Sequence, residues 1–433
     1  MQQKIQNDPE FRQRLKNWLE NQDIFKISVA FHDRDVHNIA LLANYLLYLK
    51  ILFYECLRKL TPALELKKLS LPDYADELHD ALQKRFNDVL KHDYEAIFRP
   101  CPLDEIGFSQ AFLPQFKHNV QELGKLDFRA LDCEIIGAIY NTLIENQEQH
   151  DLGQHFTNTD EVDLVCALCL NPRTENVLDS ACGAGTFLVR AYAFFKHFDP
   201  AQTHQQRLNR LWGVEIAPFP ALLATMNLCL LDVSQTQNYP LVIQKDFCDV
   251  LTASRVTYIN PTLAQNLDVV SPDGKIVQVS MPLFDACIGN PPYIRQEQIK
   301  NKDRWAAVVQ QDFGVKKINK QSDLYVYYLI HTAAFLREGA RLGLVISASW
   351  LDVGFGADLQ KFLLEHFKII AIIEHQKKRS FATASVNTVI LVAERCSDKD
   401  AREKHAALFV KVEKDYRQIL GPLNEPQRIP NAL

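Results

Sequence analysis

The chain has 433 residues, 47% hydrophobic and 23% charged, which excludes a collagen-like or wholly disordered protein and leaves room for two or three domains with sizeable cores. Its 48 basic and 53 acidic residues leave a net charge of −5, so no strongly basic coat surrounds it, although a local basic face fits that balance. Ten scattered cysteines in so long a chain read as reduced thiols used as small hydrophobes, which points to a cytoplasmic protein.

The polar start, Met1 to Phe11, lacks the apolar core of a signal peptide. The apolar run from Ile39 to Tyr54 is broken by Asn44 and Lys50 and is shorter than the ~18 to 20 residues of a membrane span, so it predicts a buried helix and no membrane partner. Helical spacing in Ile39, Leu42, Ala43, Leu46 and Leu47, and again in Ile135, Ile136, Ile139 and Leu143, predicts an α-helical domain over residues 1–150. A second domain, residues 151–395, alternates strands with helices. Val177–Asp179 is the first strand, followed by a glycine-containing turn and a helix from Thr186 to Phe198. Leu211–Glu215 and Leu241–Ile243 come next, then Ala286–Ile288 before Gly289 and Asn290. Leu342–Ser347, Ile369–Glu374 and Val389–Val392 supply three more strands. This alternation predicts an α/β protein with a doubly wound, parallel sheet. Residues 252–282 interrupt it with a hairpin turned at Ser271-Pro272-Asp273-Gly274. Residues 396–433 are a C-terminal extension with no evident domain of their own.

The chemistry-bearing residues sit where these strands end. In Asp179-Ser180-Ala181-Cys182-Gly183-Ala184-Gly185-Thr186 two glycines let a ligand approach the backbone closely, at the edge where open α/β sheets bind ligands. Leu188 stands where a dinucleotide fingerprint wants a third glycine, and no lysine follows to make a phosphate loop, so this turn alone is weak evidence. Glu215 ends the next strand, where a carboxylate can accept both hydroxyls of a ribose. Asp246 follows the third, placed to accept from an adenine amino group, with Phe247 beside it to stack on the ring. Singly, such acids are more often helix caps. The strongest signal is Asn290-Pro291-Pro292-Tyr293. Two prolines cannot continue a strand, so Asn290 is held at the sheet edge. Its side-chain carbonyl and that of Pro291 can both accept from one planar amino group, which draws the nitrogen lone pair out of conjugation. Tyr293 offers a face to a flipped base.

Taken in order, these motifs resemble those of S-adenosylmethionine-dependent DNA adenine-N6 methyltransferases of the gamma arrangement, in their restriction–modification form. Gln154-His155-Phe156-Thr157, after Gly153, resembles the extra cofactor motif ahead of the glycine loop. Ser322-Asp323-Leu324-Tyr325 resembles the start of the next motif helix, and Ala384-Ser385-Val386-Asn387-Thr388 the last motif. The resemblance covers about residues 150–395 and implies a seven-stranded sheet with one antiparallel strand. It assigns Gln154, His155, Phe156, Thr157, Asp179, Cys182, Gly183, Gly185, Thr186, Glu215, Ile216, Asp246 and Phe247 to S-adenosyl-L-methionine, and Asn290, Pro291, Pro292 and Tyr293 to catalysis on a flipped adenine of double-stranded DNA. It implies direct methyl transfer without a metal, in a prokaryotic cytoplasm. Relatives usually carry a target-recognition domain after the last motif. Residues 396–433 are too short for one, which implies a separate specificity subunit or a missing region.

Alternatives stay open: a protein-glutamine or RNA-adenine methyltransferase, or a cofactor-binding subunit inactive without its partner. Cys166-x-x-Cys169 has half-zinc-site spacing but lies on an apolar helix without a second pair, which favours packing. Three basic clusters, Lys300 to Arg304, Lys316 to Lys320 and Lys377 to Arg379, flank the inferred substrate side and are candidates for phosphate contact or plain solvated surface.

Overall fold

The computed structural model describes residues 2–22, 33–91, 94–126, 158–234, 238–251, 267–270, 276–279, 281–315, 318–352, 354, 356–375 and 387–421. Among these, the chain up to residue 126 is built of helices: α1 (Gln2–Asn7), α2 (Pro9–Gln22), α3 (Asp33–Leu60), α4 (Leu78–Leu90), α5 (Glu95–Phe98) and α6 (Leu113–Leu123). The expected helix around Ile135 to Leu143 lies outside the described residues. α3 is long and apolar enough to cross a membrane, yet 72% of its most apolar window is buried against its own neighbours. Its two polar interruptions each make a hydrogen bond. The Asn44 amide donates back to the Ala40 carbonyl at 2.9 Å, and the buried Lys50 ammonium reaches Asp104 at 2.7 Å.

Strands and helices then alternate: α7 (Thr159–Cys169), β1 (Val177–Asp179), α8 (Thr186–Phe198), α9 (His204–Leu208), β2 (Leu211–Glu215), α10 (Pro218–Leu230) and β3 (Leu241–Gln244). After a two-stranded antiparallel hairpin, β4 (Leu267–Val270) with β5 (Ile276–Val279), come β6 (Phe284–Gly289), α11 (Lys302–Phe313), α12 (Leu324–Ala333), β7 (Leu336–Ser347), α13 (Gly356–His366), β8 (Phe367–His375), β9 (Thr388–Arg395), α14 (Lys399–Glu403), β10 (Leu408–Val412) and α15 (Tyr416–Leu420). The predicted turn residues of the hairpin lie outside the described residues.

The sheet order is β10-β8-β9-β7-β6-β1-β2-β3, parallel except that β9 runs against both β7 and β8. β1, flanked by β6 and β2, lies between helices on both faces and is buried throughout, which explains the apolar pair Val177-Leu178 ahead of Asp179. The sheet has eight strands where seven were expected. The extra strand is β10, from the C-terminal extension, which lies parallel to β8 from Leu408 beside Ala371 to Val412 beside His375. The described part of the extension, residues 396–421, thus belongs to the sheet domain, and α15 anchors it through buried Tyr416 and Leu420 in the same core as α7.

The helical region shares a core with the sheet domain. Phe219, Leu223 and Met226 of α10, and Ala184 of the glycine turn, cluster with α2 and α3 residues such as Leu15, Ile39 and Leu46. Tyr45 meets Phe219 edge-on at 6.0 Å, and the Thr61 hydroxyl donates to the Val233 carbonyl at 2.5 Å. Cys166 and Cys169 are buried on α7, with the Cys169 thiol against Gly343 of β7, where no side chain stands in its way.

Candidate active site

The carboxyl ends of β1, β2, β3 and β6 meet along one edge. After Asp179 the chain turns sharply, with the Cys182 N–H donating to Val214 (3.0 Å) and the Gly185 N–H to Cys182 (2.7 Å). Gly183 and Gly185 take φ of +52° and +87°, a region that favours glycine. They serve different ends. A Cβ on Gly185 would come within 3.1 Å of Ala224 in α10, so this glycine permits close packing. A Cβ on Gly183 would meet nothing within 4 Å, so this one faces open space. Thr186 begins α8, half-buried.

Glu215 braces the turn. Its carboxylate accepts from the N–H groups of Gly183 and Ala217, each at 2.9 Å, and a carboxylate oxygen has the capacity to accept more than one such bond. Beside it Ile216 is 54% exposed, a large apolar surface at the mouth of the edge. Asp179 is 1% exposed. Burial, reinforced by the nearby Glu215 charge and opposed by the Ala181 N–H, pushes its carboxyl up to about 8. Asp246 caps the 3₁₀ turn Phe247–Asp249 by accepting from the Cys248 N–H at 3.0 Å, while its other oxygen lies 3.7 Å from the Arg304 guanidinium. Cap and ligand acceptor are therefore compatible roles for this residue.

Two expectations need correction. The Phe247 ring is not at hand to stack on an adenine: it is 2% exposed, wedged among Tyr328 (5.0 Å), His331 (4.6 Å) and Phe335 (5.2 Å). Apolar collapse against α12 outcompetes exposure at the edge. The Cys182 thiol does not line the pocket either. It fills the space over Gly213, next to Leu188, so this residue shapes the turn through its main chain. Burial pushes its thiol well above the ordinary range and leaves it unreactive.

On the substrate side, Asn290 follows β6 with its side-chain Oδ1 shielded from solvent, and Pro291 is buried. Pro292 and Tyr293 are half-buried, and the Tyr293 hydroxyl donates to the Val345 carbonyl of β7 at 2.7 Å. The loop is tied to the start of α12: the Leu324 N–H donates to the Ile294 carbonyl, and Asp323 accepts from the Gln296 N–H at 2.9 Å. The two halves of the site touch at Gly289, where a Cβ would stand 2.7 Å from Asp179 Oδ1.

Gln154, His155, Phe156 and Thr157 lie outside the described residues, as do Lys316, Lys317 and Lys377 to Arg379. Within the remaining basic cluster, Arg304 pairs with Asp249, and the Lys302 ammonium donates to the Lys320 carbonyl. Lys300 is exposed. Sequence reasoning missed the role of α12, where Tyr328 donates to the Ser180 carbonyl and His331 contacts the turn after Asp246. The signal was there: His331 and Thr332 are polar residues, and Tyr328 carries a hydroxyl, in a fully buried helix.

The sheet order, its one reversed strand, and the glycine turn ahead of a strand-end acid define the α/β fold of class I methyltransferases. The chain belongs to the N-6 DNA Methylase family, whose model matches residues 131–425. It is 32% identical over 105 residues to the type II methyltransferase M.BstVI of Geobacillus stearothermophilus, covering 23% of this chain and 17% of that protein. It is 24% identical over 277 residues to the type II methyltransferase M.BanIII of Aneurinibacillus aneurinilyticus, covering 61% and 42%. The chain thus spans under half the length of these curated relatives. Its fold is similar to that of a crystal structure ascribed to a modification subunit of a type I restriction enzyme from Vibrio vulnificus (TM-score 0.55, 16% identity, 96% of this chain and 84% of that one).

Proposed function

We propose that this chain transfers the methyl group of S-adenosylmethionine to the N6 amino group of an adenine flipped out of double-stranded DNA, in a prokaryotic restriction–modification system. The observation that carries this is the seating of Asn290 and Pro291 directly against the cofactor edge, with Asp179 filling the space over Gly289. The edge suits the cofactor. The open side of Gly183 leaves room for its methionine end, the Glu215 carboxylate is an acceptor for ribose hydroxyls, and Ile216 offers an apolar face to adenine. Asp246 Oδ2 is an acceptor for the adenine amino group. When bound, S-adenosylmethionine supplies an electrophilic methyl on a sulfonium.

The chain's own groups then orient and desolvate the reactants. Asn290 Oδ1 and the Pro291 carbonyl accept the two N–H bonds of the target amine, releasing its lone pair and stabilising the positive charge that grows on nitrogen. Tyr293, pinned through its hydroxyl, presents its ring to the extruded base. The relatives named as type II methyltransferases favour DNA over a protein glutamine or RNA.

A second reading, a modification subunit that relies on a separate specificity subunit, is favoured by the near full-length similarity to the Vibrio vulnificus subunit. The test is transfer from labelled S-adenosylmethionine to mixed genomic DNA, with cofactor binding followed by calorimetry. N6-methyladenine should appear, and Asn290→Ala should lower its rate by on the order of 10²-fold or more with cofactor affinity kept. Binding without transfer selects the subunit reading, and absence of binding overturns both.

A further inference from the structure

α12 reaches two cofactor loops from below the sheet edge. Near its middle, Tyr328 donates to the Ser180 carbonyl, and Thr332 lies 3.3 Å from the Ser180 hydroxyl, which steadies the glycine turn. One turn further on, His331 Nε2 is 3.1 Å from two carbonyl oxygens, those of Phe247 and Val250. Both are acceptors only, so Nε2 carries hydrogen and donates to the pair. The other ring nitrogen, Nδ1, meets Asp312 Oδ2 of α11 at 2.6 Å, and neither side chain is reached by solvent. Those two carbonyls bracket the 3₁₀ turn that Asp246 caps, and the ring also packs on Phe247 at 4.6 Å.

A buried imidazole–carboxylate pair is a poor way to stabilise a core. Apolar residues of like volume generally do as well, because two polar groups lose their hydration. Trp305, Phe335 and Phe247 pack around the imidazole, so an apolar residue would fit here by chemistry. What it could not do is hold two carbonyls of an irregular turn.

We infer that His331, oriented by Asp312, is a positioning residue that sets Asp246 against the adenine amino group and so gives the site its preference for an adenine-bearing cofactor. This rests on the cofactor assignment above. His331 touches no ligand itself and acts through the turn.

The test compares S-adenosylhomocysteine with its inosine counterpart, in which a carbonyl replaces the amino group, by calorimetry on the full chain. The wild-type protein should bind the adenosine form at least about tenfold more tightly, as a site built to accept from an amino group rejects an isostere that cannot donate. In His331→Gln that ratio should fall towards one, through weaker binding of the adenosine form alone. Asp312→Asn keeps a hydrogen-bond partner for Nδ1 and should show a smaller loss of the ratio; it also carries the test should His331→Gln not fold. Phe335→Leu, which loosens the same core without touching a hydrogen bond, should lower the melting temperature and leave the ratio unchanged. A wild-type ratio in His331→Gln, or a proportional weakening of both ligands, overturns the inference while leaving the cofactor site intact. A wild-type protein that binds neither ligand overturns the cofactor assignment, and the inference with it.

Discussion

The two halves of the carboxyl edge are held in different ways. On the cofactor half each acid accepts from a main-chain donor two residues on, Asp179 from Ala181, Asp246 from Cys248 and Glu215 from Ala217, and Glu215 also accepts from Gly183, 32 residues back. On the target half the prolines stiffen the chain, but the anchors come from afar. Tyr293 reaches Val345, 52 residues on, and Gln296 reaches Asp323, 27 residues on. The acids of the cofactor half are thus set at short range within turns that α12 braces through Ser180, Phe247 and Val250, whereas the target loop is anchored by long-range bonds to Val345 of β7 and to Asp323 at the start of α12. Substitutions on the first half should therefore act on cofactor affinity, and on the second on the rate of transfer.

Gly289→Ala should break this division, because Gly289 is where the halves meet. The new methyl would stand 2.7 Å from Asp179 Oδ1, inside a strand paired on both sides, so neither partner can yield freely. Overpacking of this kind costs about 1–3 kcal/mol. Cofactor affinity should drop by roughly tenfold or more, since about 1.4 kcal/mol is a factor of ten. The transfer rate at saturating cofactor should fall further still. A variant with normal transfer at saturation, measured by single-turnover labelling, would show that the halves are mechanically independent.

Asp179→Asn sharpens the comparison from the cofactor side. With its carboxyl pushed up to about 8, the folded protein holds a proton that the unfolded chain releases near its ordinary value of 3.8. Between those limits the native state binds more protons, so stability falls as pH rises from about 4 to about 8, by at most ~1.4 kcal/mol per pH unit. Below about pH 4 and above about pH 8 this contribution is flat. The amide that replaces the carboxyl cannot titrate, so the variant should lose that slope and gain stability relative to wild type at about pH 8 while its cofactor binding weakens. Urea unfolding at about pH 5 and about pH 8 checks it, and equal pH differences for the two proteins would contradict the assignment.

The same contrast explains what could be read from the sequence. β1 and β2 were legible to the residue, as apolar runs ending in an acid, because a strand buried on both faces has little freedom in composition. β7 begins at Leu336, earlier than the apolar run at Leu342, because Leu336 already pairs with Phe284 of β6, and an irregularity over Arg337 to Ala340 precedes the regular register from Arg341. β10 was missed for a like reason: Leu408 and Phe409 are exposed at the sheet edge, and β8 alone supplies their partners. In the site, the turn chemistry of Gly183 and Gly185 was visible in a single short motif. The fate of Phe247 was not, since Tyr328, His331 and Phe335, some 80 to 90 positions away, decide where its ring goes.

Tyr293→Phe makes the smallest and most selective change, on the target half alone. The ring stays, and so does its face for a base, but the bond to the Val345 carbonyl goes. Removing one partner of a buried hydrogen bond costs about 1–3 kcal/mol, since the Val345 oxygen loses its donor without gaining water. That should appear as a modest loss of stability and a several-fold lower transfer rate, as the loop after Asn290 loses one of its distant anchors. Cofactor affinity should stay at the wild-type value, because no cofactor-side acid takes part in this bond. An equal fall in cofactor affinity would mean that the Tyr293 anchor also supports the cradle, and that the two halves share more than the contact at Gly289.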